Sequence, residues 1–308
     1  MKKLYRKPEP GDFIEVYVDG KIEKGIYLEC HEKGVLLLKL NNGYNIGLKK
    51  ENISKINVIK RIDRKEDSYQ EIKFNGRKPI IDFYITGGTI SSKLDPSTGG
   101  VKSLINNKEF FSIYPEIFDI ADIRVKSIFS KMSEDMNPDD WIRIAKSVGK
   151  SLNDTNVKGI ILSHGTDTLH FTAVALSFML GKLNKPVVLT YSQKSADRAS
   201  SDSRLNLICS AHAALSDISE VMLVGHATIN DDYCYALQGN KCRKMHTSRR
   251  DAFRAVNSRP YAKIFSDEKI DYIRKDFNRR NKDKIKVDAV FDNKVALFKV
   301  YPGNNDSI

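Results

Sequence analysis

The chain has 308 residues, 41% of them hydrophobic and 29% charged, with a net charge of +12. That length admits two domains, and the apolar fraction excludes global disorder. No apolar run is long enough to cross a bilayer, which excludes helical membrane proteins.

The positive balance favours polyanionic partners such as RNA, but Lys and Ile abound throughout and no RRM or KH signature accompanies them. Met1–Pro8 is basic and no signal-like apolar stretch follows it, so no secretory leader is expected. Cys30, Cys209, Cys234 and Cys242 are scattered and form no CxxC. That usage fits a reducing, cytoplasmic setting. Cys234 and Cys242 lie near His226 and His246 in sequence, but zinc spacing rules are not met and no metal is expected.

Short apolar stretches at 13–18, 22–28, 35–40, 44–48 and 53–59 are separated by Asp19-Gly20, Glu32-Lys33-Gly34 and Asn41-Asn42-Gly43. Five short strands with tight turns predict a small SH3-like β-barrel over residues 1–60, a docking or assembly module rather than a catalytic one. Residues 61–78 are charge-dense and read as a linker ending at Lys78-Pro79.

Over 79–285 the pattern becomes strands alternating with helices. Strands are expected at 80–85, 123–129, 159–163, 186–191 and 221–224. Asn137-Pro138-Asp139-Asp140 supplies an N-cap, a proline at the first helical position and first-turn carboxylates, opening a helix to about Leu152. Residues 169–180 are apolar nearly all round and predict a buried helix; 200–215 is a third. This is the pattern of a doubly wound α/β domain. Over 286–308 one more strand-like run, 294–301, precedes Pro302-Gly303.

Two Thr/Gly segments stand about eighty residues apart, each directly after a strand-like run: Thr86-Gly87-Gly88-Thr89-Ile90 and His164-Gly165-Thr166-Asp167-Thr168. Ser133-Glu134-Asp135 and Ser192-Gln193-Lys194-Ser195 follow two other strands. In a parallel sheet all four clusters share the carboxyl edge, where reactive groups collect. Arg243-Lys244-Met245-His246 adds donors further on. Each cluster has a plain structural reading: a glycine turn, a helix cap, a solvated face, or for His164 a structural hydrogen bonder. Their conjunction points to acyl transfer, because a threonine hydroxyl needs a base or neighbouring cation to act as a nucleophile, and Lys244 is a candidate.

The Thr-Gly-Gly-Thr-Ile and His-Gly-Thr-Asp-Thr motifs, in this order, resemble the two signatures of bacterial-type L-asparaginases over residues 79–303. The runs Ser192-Gln193-Lys194-Ser195-Ala196-Asp197-Arg198 and Arg243-Lys244-Met245-His246-Thr247-Ser248-Arg249-Arg250-Asp251 are similar to the D subunits of archaeal glutamyl-tRNA(Gln) amidotransferases, which also carry an N-terminal β-barrel. The resemblance implies an asparaginase-like α/β fold and a glutaminase subunit. Thr86 would be the acylated nucleophile, with Thr166, Asp167 and Lys244 as a second relay. Ser133 and Glu134 would bind substrate, and Asp167 would hold its α-ammonium. Which threonine is acylated first stays open.

The resemblance also implies an E-type partner subunit that uses ATP and Mg²⁺ on Glu-tRNA(Gln), glutamine as substrate, and a homodimer within a heterotetramer. It implies no cofactor on this chain. Two departures stand out. Residues 91–104 contain no tyrosine to activate Thr86, although Gly99-Gly100 suggests a lid; and by the resemblance 286–308 is expected to be the start of a truncated form of the family's second, smaller α/β domain. A free L-asparaginase and a non-catalytic assembly subunit are the alternative readings.

Overall fold

The computed structural model describes residues 7–28, 34–41, 45–61, 76–94, 101–103, 113–194 and 200–303. Cys30, most of the predicted linker, Gly99-Gly100 and Ser195 lie outside the described residues. The described residues form two compact units.

The first unit holds β1 (Phe13–Val18), β2 (Lys21–Leu28), β3 (Val35–Leu40), β4 (Asn45–Lys49) and β5 (Ile53–Lys60). Asp19 and Gly20 both have positive φ, so the β1–β2 hairpin turns as its Asp-Gly pair predicts. The sheet order is β4-β3-β2-β1-β5, and its ladders are antiparallel. Alternation buries Ile14, Val16 and Val18 of β1 against Leu36 and Leu38 of β3. Register shifts interrupt the β1–β5 ladder at both ends. Such bulges coil a sheet; the five strands expected of a small SH3-like barrel are all present in one sheet, and among the described residues no ladder joins β4 to β5. A two-stranded ladder of β7 (Ser92–Leu94) and β8 (Val101–Ser103) belongs to this unit.

The second unit carries an eight-stranded sheet. Its parallel strands are β6 (Ile80–Ile85), β9 (Asp122–Ser127), β10 (Val157–Ser163), β11 (Val187–Thr190) and β12 (Val221–His226). They lie in the order β9-β6-β10-β11-β12. The antiparallel strands β13 (Cys234–Gln238), β16 (Ala262–Ile264) and β17 (Ile270–Tyr272) extend one side, and β14 (Cys242–Lys244) pairs with β15 (Phe253–Ala255) as a separate ladder. None of these last five strands is expected from the sequence. They are only three to five residues long, too short for a period of two to show.

Helices cover both faces, as a doubly wound sheet requires. Pro138–Leu152 and Leu169–Met179 pack on Tyr84, Ile160, Leu162 and Leu189; Ser203–Leu215 packs on Ile81, Phe83, Ile161 and Val224. Alternate residues of β6 and β10 therefore enter opposite cores, which explains their unbroken apolar runs. The predicted cap is present: Asn137 Oδ1 accepts from the Asp139 and Asp140 backbone N–H at 3.0 and 3.3 Å, and Asp140 Oδ2 accepts from the Asn137 N–H at 3.0 Å.

Two expectations fail. Leu169–Met179 buries the face of Leu169, Thr172, Ala173, Leu176 and Met179, leaving Phe171 and Phe178 exposed. Apolar composition all round did not mean burial all round. The run at 294–301 forms no strand and is exposed.

Asp82 on β6 is fully buried and binds Arg124 Nε and Lys126 Nζ of β9, each at 2.6 Å; it also accepts the Ser151 hydroxyl. Arg124 reaches on to Asp154 at 2.9 Å. Breaking a buried pair strands its partners, so Asp82→Ala is expected to cost about 3 kcal/mol. Urea unfolding of the two proteins measures it, and a loss below about 1 kcal/mol would refute this account of the β6–β9 edge.

Candidate active site

β6 and β10 are neighbours in space although β9 intervenes in the chain. This is where strand order reverses, the crevice that open α/β sheets use for ligands. Parallel register sets Ile85 beside Ser163, so the two Thr/Gly turns leave the sheet side by side. Gly87 and Gly88 both take positive φ, and a Cβ on Gly88 would lie 2.6 Å from the Gly165 nitrogen. Only glycine lets the turns touch this closely.

Thr86 is fully buried at the end of β6 and donates its hydroxyl to the Ser163 carbonyl at 2.8 Å. Its own carbonyl accepts from the Lys131 N–H at 3.1 Å. Thr166 and the exposed Asp167 follow β10. Lys244 Nζ donates to Thr166 Oγ1 at 2.7 Å and to Asp167 Oδ1 at 2.8 Å. The Lys244 side chain is 9% exposed against 62% for Asp167, so the ammonium sits in a shielded position beside a solvated carboxylate. Ser133 is buried and Glu134 exposed in a 3₁₀ turn; the Ser133 hydroxyl approaches Glu134 Oε2 at 3.4 Å. Thr168 Oγ1 donates to the Ser133 carbonyl at 2.6 Å, tying this turn to the one after β10.

The structure thus brings Thr166, Asp167 and Lys244 into direct contact. It sets Thr86 in the adjoining turn and Ser133 against Gly165, where a Cβ would lie 2.7 Å from the serine side chain. The fourth predicted cluster has a different role. The backbone N–H groups of Gln193 and Lys194 donate to buried Asp202 at 2.9–3.0 Å, while the buried Ser192 hydroxyl has no hydrogen-bond partner among the described residues. His246 Nδ1 accepts from the Ser248 and Arg249 N–H groups, holding a turn. Cys234 approaches Asn206 Oδ1 at 3.4 Å and Cys242 lies in the opposite core. Among the described residues no three His, Cys, Asp or Glu side chains gather as a metal site.

Sequence reading missed the chain behind His164. Trp141 Nε1 donates to Thr172 Oγ1 at 3.0 Å; Thr172 donates to His164 Nε2 at 2.8 Å; and Nδ1–H donates to the Gly165 carbonyl at 2.8 Å. The carbonyl only accepts, which fixes the tautomer of a neutral ring. The spacing of Thr172 eight residues after His164, one helical turn past Thr168, was the available signal. Burial pushes the His164 pKa down from 6.5 to about 4. The folded state then binds fewer protons than the unfolded chain between those values, so stability falls as pH drops through that window. Acidification from neutrality to the lower end is expected to remove roughly 2–3 kcal/mol through this group. Urea unfolding against pH, compared with His164→Gln, isolates it; equal slopes in the two proteins would contradict the neutral assignment.

Comparisons with known proteins fit this arrangement. Residues 81–278 match the family model "Asparaginase, N-terminal", and residues 8–59 match "GatD N-terminal domain". The chain is 47% identical over 304 residues to the D subunit of the glutamyl-tRNA(Gln) amidotransferase of Pyrococcus furiosus, covering 96% of this chain and 69% of that one. The corresponding protein of Methanobrevibacter smithii is 40% identical, with 95% and 68% covered. Among solved structures, the thermostable L-asparaginase from Thermococcus kodakarensis matches with a TM-score of 0.60 and 25% identity, over 68% of this chain and 60% of that one. A probable cytoplasmic L-asparaginase from Campylobacter jejuni matches with a TM-score of 0.54 and 26% identity, over 64% and 57%.

Proposed function

The chain belongs to the asparaginase family, in the branch formed by the D subunits of glutamyl-tRNA(Gln) amidotransferases, and from that premise we propose that it hydrolyses glutamine through a threonine nucleophile and supplies the ammonia to a partner subunit. The observation that carries the reading is Lys244 Nζ held between Thr166 Oγ1 and Asp167 Oδ1 at the strand-order reversal.

In the first half-reaction a threonine Oγ attacks the carboxamide carbon, and its proton passes to the departing nitrogen as the C–N bond breaks. Ammonia leaves and an ester remains. Water then attacks that ester and releases glutamate, returning a proton to the threonine. A positive charge beside a hydroxyl lowers the cost of the developing alkoxide, which is the role proposed for Lys244 toward Thr166. Asp167 keeps that ammonium in place and, being exposed, also offers a carboxylate to the α-ammonium of the substrate. Ser133 and Glu134 border the same crevice as the substrate-binding pair.

Thr86 is the proposed acylated residue. Its hydroxyl proton rests on the Ser163 carbonyl, leaving oxygen lone pairs for attack. Backbone N–H groups near Thr89 and Thr166 are the proposed donors to the tetrahedral oxyanion, an interaction worth roughly 3–4 kcal/mol per donor in such sites. The E-type partner, ATP and Mg²⁺ for activating Glu-tRNA(Gln), a homodimer within a heterotetramer and a cytoplasmic setting complete the reading. Among the described residues, no helix is long and apolar enough to cross a membrane.

Mass spectrometry after treatment with a diazoketone analogue of glutamine is expected to show an adduct on Thr86, and Thr86→Val to abolish it with the fold intact. An adduct on Thr166 would reverse the order of the two threonines. Lys244→Ala is expected to lower glutamine turnover by about 10²-fold. Unchanged turnover would remove the relay. Strong asparagine hydrolysis by the chain without partner or tRNA would favour a free asparaginase instead.

A further inference from the structure

Behind the site, Tyr191 stands at both ends of a closed circuit of hydrogen bonds. Asn206 Nδ2 donates to the Tyr191 carbonyl at 2.9 Å. Asn206 Oδ1 accepts from the His226 backbone N–H at 2.9 Å and from His226 Nδ1 at 2.7 Å. His226 Nε2 meets Asp231 Oδ1 at 2.9 Å, and the same oxygen accepts from Arg250 Nη1 at 2.9 Å. The Arg250 carbonyl closes the circuit by accepting the Tyr191 hydroxyl at 2.8 Å. Asn206 and His226 are buried, so the bonds between them are not readily exchanged for water, while Asp231 is 65% exposed. Burial pushes the Tyr191 phenol well above its ordinary pKa, which keeps it a donor; the His226 contact holds the Asp231 carboxyl below the usual range.

The circuit grips the hairpin that carries Lys244. Arg250 lies in the turn between β14 and β15, closed by Met245 N–H donating to the Ala252 carbonyl at 2.8 Å. Its guanidinium also reaches the carbonyls of Ile229 and Ser200, at 3.3 and 2.5 Å. The Tyr191 ring lies 4.6 Å from Phe253, the cross-strand partner of Lys244. The ring also lies against Gly225, where a Cβ would meet Tyr191 Cε1 at 2.3 Å. None of the five residues in the circuit touches Thr86, Thr166 or Asp167 in the hydrogen bonds described.

We propose that Tyr191, Asn206, His226, Asp231 and Arg250 are positioning residues for amide hydrolysis, holding the β14–β15 hairpin so that Lys244 keeps its place between Thr166 and Asp167. The proposal deepens the glutaminase reading and rests on it. The physical reason is reach: β14 is not part of the parallel sheet, so the sheet's hydrogen bonds do not set where Lys244 stands. A misplacement of about 1 Å at a catalytic group costs on the order of 10²-fold in rate.

The test uses the full chain with its partner subunit and compares Arg250→Ala, Arg250→Lys and Asp231→Ala with the parent. The alanine variants are expected to lose about 10-fold in kcat with KM changed less than about twofold, and Arg250→Lys to recover most of it. In a Lys244→Ala background, Arg250→Ala is expected to add less than about twofold, because the circuit acts through that lysine. Equal losses in both backgrounds, or an unchanged kcat, would overturn the proposal. A second readout needs no turnover: the rate at which acetic anhydride modifies Lys244, followed by peptide mass spectrometry. Release from its two partners is expected to raise that rate at least about fivefold in Arg250→Ala while Lys185 stays constant. No change at Lys244 would overturn the positioning role. If the parent hydrolyses no glutamine while Lys244 labelling still responds, the glutaminase reading falls and the positioning of Lys244 stands.

Discussion

The pairing of β6 with β10 is the constraint on which the site depends. These strands are separated in the chain by β9 and the Pro138–Leu152 helix, yet they lie adjacent, and after a shift between Val157 and Gly159 they keep parallel register from Gly159 to Ser163. Their turns converge because both strands point the same way and end level. The fit is tight: Gly88 meets the His164–Gly165 peptide, Gly165 meets Ser133, and Thr86 bonds the carbonyl of Ser163. A one-residue slip would carry each side chain to the opposite face. Both faces are covered by helices, and alternate residues of β6 enter different cores, so such a slip would break packing on both sides.

Charge is placed sparingly at this junction. Neutral His164 is buried after β10, where its ring bonds Thr172 and Gly165. The cation comes from a separate hairpin and meets a solvated carboxylate rather than a buried one. The buried carboxylate of β6, Asp82, stands at a different point, where Arg124, Lys126 and Ser151 satisfy it. One strand therefore anchors its edge through an ion cluster and presents a hydroxyl at its carboxyl end.

Much of this architecture is legible in short-range patterns. The strand of Ile80–Ile85 and the helix of Pro138–Leu152 appear where apolar runs and the Asn-Pro-Asp-Asp cap predict them. The Asp19-Gly20 turn is equally local, because its conformation is a property of two residues. The helix of Leu169–Met179 shows the limit: its composition is apolar all round, yet Phe171 and Phe178 face outward because burial depends on which neighbours pack against each face. The strand expected at 294–301 fails for a related reason. A run of apolar residues shows that a strand is favourable, while a ladder also needs a partner edge.

Residue order alone specifies the two Thr/Gly turns, the caps and the alternation of strands and helices, since all of these follow from interactions within a few positions of each other. Folding in three dimensions settles which strands become neighbours, that Lys244 reaches Thr166 and Asp167 from a hairpin outside the main sheet, and that Tyr191 links back to itself through four other residues. Those contacts join positions dozens of residues apart. They are selected by packing and by the need to satisfy buried polar groups, and neither leaves a period in the chain.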